Sequence, residues 1–204
     1  MRNAVWVGVA VVAVVLIVAG LLWPPPPLPS EGHRILPTAE APEGGDIELP
    51  VSSRGAAFRL RDQDVRYWWV YFGYTSCPDA CPVSLAWISG ALSRLPEDLR
   101  GRVGGLFVSV DPERDDEARL REYANHFHPD IVAVTGPDAQ LRELAARYGV
   151  FYRHTEVESA LGYVVDHSSA TYLVGPAGEL LEVYPHGTSS TELLAALEKH
   201  LAIR

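Results

Sequence analysis

The sequence predicts an α/β fold in which helices flank a central mixed sheet. Three observations lead to it. The aromatic and β-branched run YWWVYF, at residues 67–72, is typical of a buried strand. After it, apolar runs alternate with stretches of helical periodicity, as in βαβ units. In the last third of the sequence, two apolar runs are separated by Gly-Pro-Ala-Gly at residues 175–178, a strong turn signal for an antiparallel hairpin.

The first helix is expected from Pro82, just after the first strand and two cysteines. Proline suits a first helical turn because its missing N–H is not needed there. Four apolar side chains then fall on one helix face: Leu85, Ile88, Leu92 and Leu95. The next elements alternate in type: a strand at 106–110, a helix at 116–127, a strand at 131–134 and a helix marked by residues 141–148.

The last third supplies the hairpin and a closing helix. Residues 170–174 and 180–184 are the predicted hairpin strands. The helix carries a leucine stripe at positions 193, 194, 197 and 201, which would cover one face of the sheet. Together these elements make a βαβ half joined to a ββα half.

Composition indicates a globular protein without nucleic-acid affinity. The chain has 204 residues, of which 48% are hydrophobic and 21% charged. A domain of about 150 residues can bury a sizeable core without disulfide staples. The formal net charge of −9 argues against a nucleic-acid partner, because phosphate binding needs a clustered excess of Lys and Arg.

The N-terminal part of the chain reads as an anchor followed by a linker. Residues 4–23 carry no charge, and as a helix they would be about 30 Å long, enough to span a bilayer. A cleaved signal peptide is the alternative, but the run is long for one and no A-x-A site follows. We therefore expect an anchor at 1–23, an extended linker rich in Pro, Gly and Glu at 24–50, and one domain at 51–204.

Charge around the apolar run predicts where the domain lies. Arg2 and the N-terminal amine precede the run, which points to a cytoplasmic N-terminus and a domain on the other side of the membrane. No Arg-rich and Ser-rich presequence precedes it. We expect a single-pass protein of the bacterial inner membrane with its domain on the periplasmic side.

Two cysteines, Cys77 and Cys81, are the chain's conspicuous chemical groups. A buried strand, a tight turn and a helix that begins at a thiol pair form the layout of thioredoxin-like proteins. The helix N-terminus favours thiolate over thiol, and the Cys-x-x-x-Cys spacing can bring both sulfurs to one side of a helical turn. Such a soft pair suits Cu(I) or Zn(II) and needs at least one more ligand.

The pair alone also fits a simple disulfide or two reduced cysteines in the core. A structural crosslink gains most from closing a long loop, which this spacing does not provide. Met1 is the single methionine, so a soft metal in the domain must use thiolate or imidazole.

Three motifs resemble the Sco/SenC family of copper proteins. They are FGYTSCPDACP at residues 72–82, SVDPERD at 109–115 and YVVDHSSATYLVGPAG at 163–178. They occur in the family's order, and the resemblance covers essentially the whole domain and its anchor. It implies a thioredoxin-like fold in which Cys77, Cys81 and His167 bind one copper ion, as Cu(I) or Cu(II).

The resemblance also implies a role and partners. Sco-like proteins assist assembly of the dinuclear CuA centre of cytochrome c oxidase, as copper donors, as reductants of its cysteines, or as both. The implied partner is the oxidase subunit that carries CuA, with other copper chaperones or thiol reductants as further partners. This describes a metal-binding and transfer protein more than an enzyme. The alternative is an extracytoplasmic thiol–disulfide oxidoreductase acting through Cys77 and Cys81.

The surroundings of His167 favour metal binding. Thioredoxin-like enzymes place a cis-proline near this point, whereas here the sequence reads Asp-His-Ser without a nearby proline. Two features depart from the family pattern: Gly175 stands where Asp is frequent, and the hairpin before Trp68 is short. Neither departure touches a ligand position.

Other polar residues are weaker candidates. His126 and His128 flank Phe127 and are interpreted as a solvated helix end in preference to a second metal site. His33, His154, His186 and His200 are interpreted as surface residues. Asp79 is either a helix cap or a group that tunes the site, and Asp111 is interpreted as the start of an Asp-Pro turn in preference to a group that tunes the site.

Overall fold

The structure, a computed structural model, describes residues 42–158 and 162–202. The expected anchor at 1–23, the first part of the linker and His33 lie outside the described residues. Among the residues that the structure describes, no helix combines the length and apolar character needed to cross a membrane.

The described residues contain four α-helices, two short 3-10 helices (Leu60–Asp62 and Glu97–Leu99) and ten strands. The helices are α1 (Ala80–Leu92), α2 (Glu117–Phe127), α3 (Asp138–Arg147) and α4 (Ser190–Ala202). The strands are β1 (Glu48–Leu49), β2 (Val51–Ser52), β3 (Phe58–Arg59), β4 (Tyr67–Gly73), β5 (Val103–Ser109), β6 (Ile131–Thr135), β7 (Tyr152–Glu156), β8 (Tyr163–His167), β9 (Thr171–Val174) and β10 (Leu180–Tyr184).

A six-stranded mixed sheet forms the centre of the fold, in the order β10-β9-β4-β5-β6-β2. Strands β4, β5 and β6 run parallel, while β9, β10 and β2 each pair antiparallel with their neighbours. Two small antiparallel pairs lie outside this sheet, β1 with β3 and β7 with β8. The predicted central mixed sheet is therefore confirmed.

Each face of the sheet has its own hydrophobic core. Along β4, Trp68 and Phe72 belong to one core, whereas Trp69 and Tyr71 belong to the other, because successive side chains of a strand alternate between faces. Helices α1, α2 and α4 contribute to the core that holds Trp69, and α3 contributes to the opposite core. Every residue of β4 is buried, as its unbroken apolar run predicts.

The packed part of the chain extends into the segment expected to be a linker. Ile47 and Leu49 are buried, and β1 pairs with β3. The Tyr148 hydroxyl donates to the carbonyl oxygens of Gly45, at 2.6 Å, and Gly178, at 3.1 Å. Strands of two residues are too short to give a periodic signal, so the sequence pattern does not show this packing.

Candidate metal centre

Cys77, Cys81 and His167 come together at the end of β4. Cys77 lies in the turn after the strand, Cys81 is the second residue of α1, and His167 ends β8. Their ligand atoms all lie within 4.8 Å of one another. Within 42–158 and 162–202, no other group of three His, Cys, Asp or Glu residues is arranged to hold a metal ion.

The turn that carries Cys77 is fixed by a buried carboxylate from the next strand–helix connection. Asp115 accepts hydrogen bonds from the Thr75 amide at 2.9 Å and the Thr75 hydroxyl at 2.6 Å. The Ser109 hydroxyl donates to the same carboxylate at 2.5 Å. Burial raises the pKa of Asp115, although these three donors oppose the shift. The turn before α1 is thus bound to the segment that follows β5.

His167 presents Nε2 to the sulfurs. Its Nδ1 lies 2.9 Å from the Ser168 carbonyl oxygen, which only accepts hydrogen bonds, so Nδ1 carries the hydrogen. Nε2 then has a free lone pair and lies 3.4 Å from Sγ of Cys81. The rings of Tyr71 and Tyr74 meet the imidazole edge to face, at centroid distances of 6.0 and 5.9 Å. Tautomer and ring orientation therefore both suit metal ligation.

The β7–β8 hairpin, which carries His167, is fixed by the buried carboxylate of Asp111. Asp111 is fully buried and accepts hydrogen bonds from Arg114 Nε at 2.5 Å and the Tyr163 hydroxyl at 2.6 Å. Arg114 also donates to the Tyr163 carbonyl oxygen at 3.0 Å, and its guanidinium carbon lies 3.7 Å from the centre of the Tyr163 ring. Asp111 therefore does more than start a turn.

The two thiols have opposite acid–base character. A hydrogen bond from Cys81, joined by the backbone amides of Asp79 and Cys81, lowers the pKa of the half-buried Cys77 thiol to about 3 against the opposing effect of burial. Burial, and then the negative charge of Cys77, raises the pKa of the fully buried Cys81 thiol. Neither cysteine is in a disulfide. The metal-free site thus holds one thiolate and one thiol.

The other candidate residues from the sequence lie outside the group formed by Cys77, Cys81 and His167. Asp79 is the N-cap residue of α1, but its side chain makes no capping hydrogen bond. His128 Nδ1 accepts the Asp130 amide at 3.1 Å, as expected of a histidine that closes a helix end. Three histidines interpreted as surface residues have partners. His186 Nδ1 lies 3.3 Å from the Ser84 hydroxyl, His200 Nε2 lies 3.1 Å from a carboxylate oxygen of Glu182, and His154 Nε2 lies 3.9 Å from a carboxylate oxygen of Asp111.

The donor set has the chemistry of a copper site. Two sulfurs and one imidazole nitrogen are soft or intermediate ligands, and such ligands suit Cu(I). Mg²⁺ and Ca²⁺ prefer oxygen ligands, so this set of donors does not suit them. Zn²⁺ accepts the same ligands but favours four of them. A partly buried site with three such donors therefore fits copper.

Comparison with known proteins agrees with this geometry. The family model SCO1/SenC matches residues 37–202. The chain is 36% identical over 150 residues to "Protein SCO1 homolog 1, mitochondrial" of Arabidopsis thaliana, covering 71% of this chain and 45% of that protein. It is 35% identical over 142 residues to "Protein SCO2 homolog, mitochondrial" of Mus musculus, covering 68% and 56%. The chain thus spans about half the length of these two relatives.

A solved structure shares the fold. The crystal structure of Arabidopsis thaliana ScoI with copper bound superimposes with a TM-score of 0.72 at 31% identity, covering 79% of this chain and 99% of that one. The mixed sheet with flanking helices is therefore the thioredoxin-like fold that the sequence predicts. With its three motifs, its paired sulfurs and facing imidazole, and a family model that spans the whole described domain, the chain belongs to the SCO1/SenC family.

Proposed function

We propose that this protein is a copper metallochaperone that holds one copper ion through Cys77, Cys81 and His167. The observation that carries the proposal is the convergence of two sulfurs and an imidazole nitrogen within 4.8 Å. The copper-bound Arabidopsis structure supports it, because that protein has the same fold and is 31% identical. Family membership supports a role in assembling the CuA centre of cytochrome c oxidase.

Before copper binds, the three ligand side chains differ in burial and in hydrogen bonding. Cys77 is already ionised and half-buried, so it offers an incoming ion the first negatively charged sulfur. His167 offers Nε2, because the Ser168 carbonyl oxygen holds a hydrogen on Nδ1. Cys81 must lose its proton as copper binds, which makes binding proton-coupled.

We also propose where in the cell this protein lies. We assign residues 1–23 as a membrane anchor and place the copper domain on the periplasmic side of a bacterial inner membrane. The support is the uncharged stretch at 4–23 with Arg2 before it. A tethered domain would meet the CuA-bearing oxidase subunit, and any copper or thiol donor, at the outer face of that membrane.

Anaerobic Cu(I) titration of the reduced protein tests the copper site. The parent should bind one equivalent, and Cys77→Ser, Cys81→Ser and His167→Ala should each lose more than about 100-fold in affinity, because even residues behind the ligands are worth about 10–100-fold. His126→Ala, an exposed histidine at the end of α2, is the matched control and should bind as the parent does. Parent-like affinity in His167→Ala would rule out the three-ligand site.

One observation favours a second function, that of a thiol–disulfide oxidoreductase. A half-buried thiolate at Cys77 beside a buried thiol at Cys81 is the arrangement of an attacking and a resolving cysteine. Cys77 would attack a substrate disulfide and release one thiolate, and Cys81 would then displace the second, leaving a Cys77–Cys81 disulfide. Turnover of a disulfide substrate by the copper-free protein, together with the reduction potential of the pair, tests this function.

A further inference from the structure

Ser168 follows His167 in the chain and forms two hydrogen bonds with one residue of another segment. Its amide donates to the Phe151 carbonyl oxygen at 2.9 Å, and its hydroxyl oxygen accepts a hydrogen bond from the Phe151 amide at 3.0 Å. Tyr152 lies opposite His167 in the β7–β8 register, so Phe151 and Ser168 are the next opposed pair. The two bonds therefore extend the hairpin by one position.

The second of these bonds differs from that of a regular ladder. Opposed residues of an antiparallel pair exchange two bonds between amides and carbonyl oxygens. Here the Ser168 hydroxyl takes the place of the Ser168 carbonyl as acceptor for the Phe151 amide. The Ser168 carbonyl oxygen instead lies 2.9 Å from Nδ1 of His167. The serine side chain thus leaves its own carbonyl group available to the imidazole.

Phe151 is held in place by the end of α3. The Gly149 amide donates to the Ala146 carbonyl oxygen at 3.1 Å, and the Val150 amide donates to the Ala145 carbonyl oxygen at 2.8 Å. With Gly149 at a φ of 65°, these two bonds form a Schellman motif, which fixes the direction in which the chain leaves a helix. Val150 is also buried. Phe151 therefore offers Ser168 a fixed backbone partner.

We propose that Ser168 is a positioning residue for the metal centre. Its hydroxyl binds the Phe151 amide and so keeps the Ser168 carbonyl oxygen on Nδ1 of His167, with Nε2 directed at the sulfurs. Without the hydroxyl, the Phe151 amide would turn to the Ser168 carbonyl oxygen and compete with the imidazole for it. This inference rests on the proposed function and deepens it.

Ser53 provides a matched control, because it forms the same two bonds at another edge. Its amide donates to the Ala133 carbonyl oxygen at 2.8 Å, and its hydroxyl oxygen accepts a hydrogen bond from the Ala133 amide at 3.0 Å. The Ser53 carbonyl oxygen accepts from Arg121 Nε at 3.1 Å, where that of Ser168 meets His167. Ser53→Ala therefore removes an equivalent hydroxyl whose carbonyl group orients no ligand.

The first measurement needs no copper. In the parent, NMR of the metal-free protein should show an imidazole Nδ1–H signal that exchanges slowly with water, and its absence in His167→Ala assigns it. Ser168→Ala should lose this signal, whereas Ser168→Thr, which retains a hydroxyl, and Ser53→Ala should keep it. Urea should unfold Ser168→Ala and Ser53→Ala at similar midpoints, because each loses an equivalent bond.

The second measurement is anaerobic Cu(I) titration. Ser168→Ala should bind Cu(I) about tenfold more weakly than the parent, since groups that orient a ligand histidine have effects of about 10–100-fold. Ser168→Thr and Ser53→Ala should bind as the parent does. In a His167→Ala background, Ser168→Ala should cause no further loss, because its effect passes through the imidazole.

Three results would each overturn the inference: a parent-like Nδ1–H signal in Ser168→Ala, a parent-like copper affinity in that variant, or an undiminished effect of Ser168→Ala in the His167→Ala background. A parent that binds no copper would overturn the proposed function, and the NMR comparison would still decide whether Ser168 orients His167.

Discussion

Gly73 leaves the space that the sulfur of Cys81 occupies. A Cβ atom at position 73 would overlap that sulfur and would also lie 3.1 Å from the ring of Phe107 and 3.2 Å from the ring of Tyr71. The aromatic rings are buried in the same core, so the short cysteine side chain is the group that can move. The position of one ligand thus depends on the absence of a side chain in β4.

Gly73→Ala should therefore weaken copper binding as well as folding. We expect a loss of about 1–3 kcal/mol in the free energy of unfolding from overpacking, with a loss of at least about tenfold in Cu(I) affinity as Cys81 rotates away. Gly105→Ala is the control, because its Cβ would crowd Ile131 and Ile88 instead of a ligand. Equal losses of copper affinity in the two variants would contradict this account. Urea unfolding and Cu(I) titration provide the measurements.

The two cysteines should differ sharply towards an alkylating reagent. With a pKa of about 3 and a half-buried sulfur, Cys77 is a thiolate at neutral pH, whereas Cys81 is buried and protonated. Iodoacetamide should modify Cys77 alone, at a rate nearly constant between about pH 5 and pH 8. Mass spectrometry of the peptides identifies the site. An ordinary thiol would instead react about tenfold faster with each pH unit gained, and that outcome would contradict the assigned thiolate.

Copper affinity should depend on pH with the stoichiometry of one proton. Cys77 is ionised before copper arrives, so only the Cys81 thiol releases a proton on binding, and acid opposes that release. The apparent Cu(I) affinity should fall about tenfold for each pH unit lowered below about pH 8. Competition titration in Cys81→Ser should show almost no slope, and in Cys77→Ser the parental slope. A hundredfold change per unit in the parent would mean that both thiols start protonated.

Tyr163→Phe should loosen the hairpin that carries His167. The Tyr163 hydroxyl donates to the buried carboxylate of Asp111 at 2.6 Å, and removing one donor from a buried carboxylate costs about 1–3 kcal/mol. We expect that loss in the free energy of unfolding, measured with urea, and faster dissociation of copper. The control is Tyr184→Phe, whose hydroxyl donates at 3.0 Å to Glu182, a carboxylate that water can reach. If Tyr163→Phe is no less stable than Tyr184→Phe, the Asp111 contact does not hold the hairpin.

Local features of the fold were predictable from the sequence, whereas tertiary ones were not. The apolar run of β4 and the thiol pair at the start of α1 are adjacent in the chain. The sequence alone therefore predicts that the thiols follow a buried strand. Strand β7 was missed because most of its side chains are exposed, and Tyr152 is its one buried residue. A strand without an apolar pattern gives no periodic signal.

The residues of the metal centre were also predictable only in part from local sequence. Cys77 and Cys81 followed from spacing and placement, but His167 is 86 positions beyond Cys81 and came from family resemblance. Asp111 and Asp115 belong to one of the three motifs, but their hydrogen-bond partners Tyr163 and Thr75 are 52 and 40 positions away in the chain. A hydrogen bond between two distant segments produces no periodic pattern in the sequence of either segment.

The unequal burial of the two sulfurs would give the proposed copper exchange a direction. The Cys77 sulfur is half-buried, while Cys81 is closed in by the sheet and by α1. On the proposed function, a donor or acceptor protein would reach the metal from the side of Cys77 and His167, which are both partly exposed. If the protein transfers copper as proposed, the ion would enter and leave past Cys77 and His167, and the buried Cys81 would be the last ligand to release it.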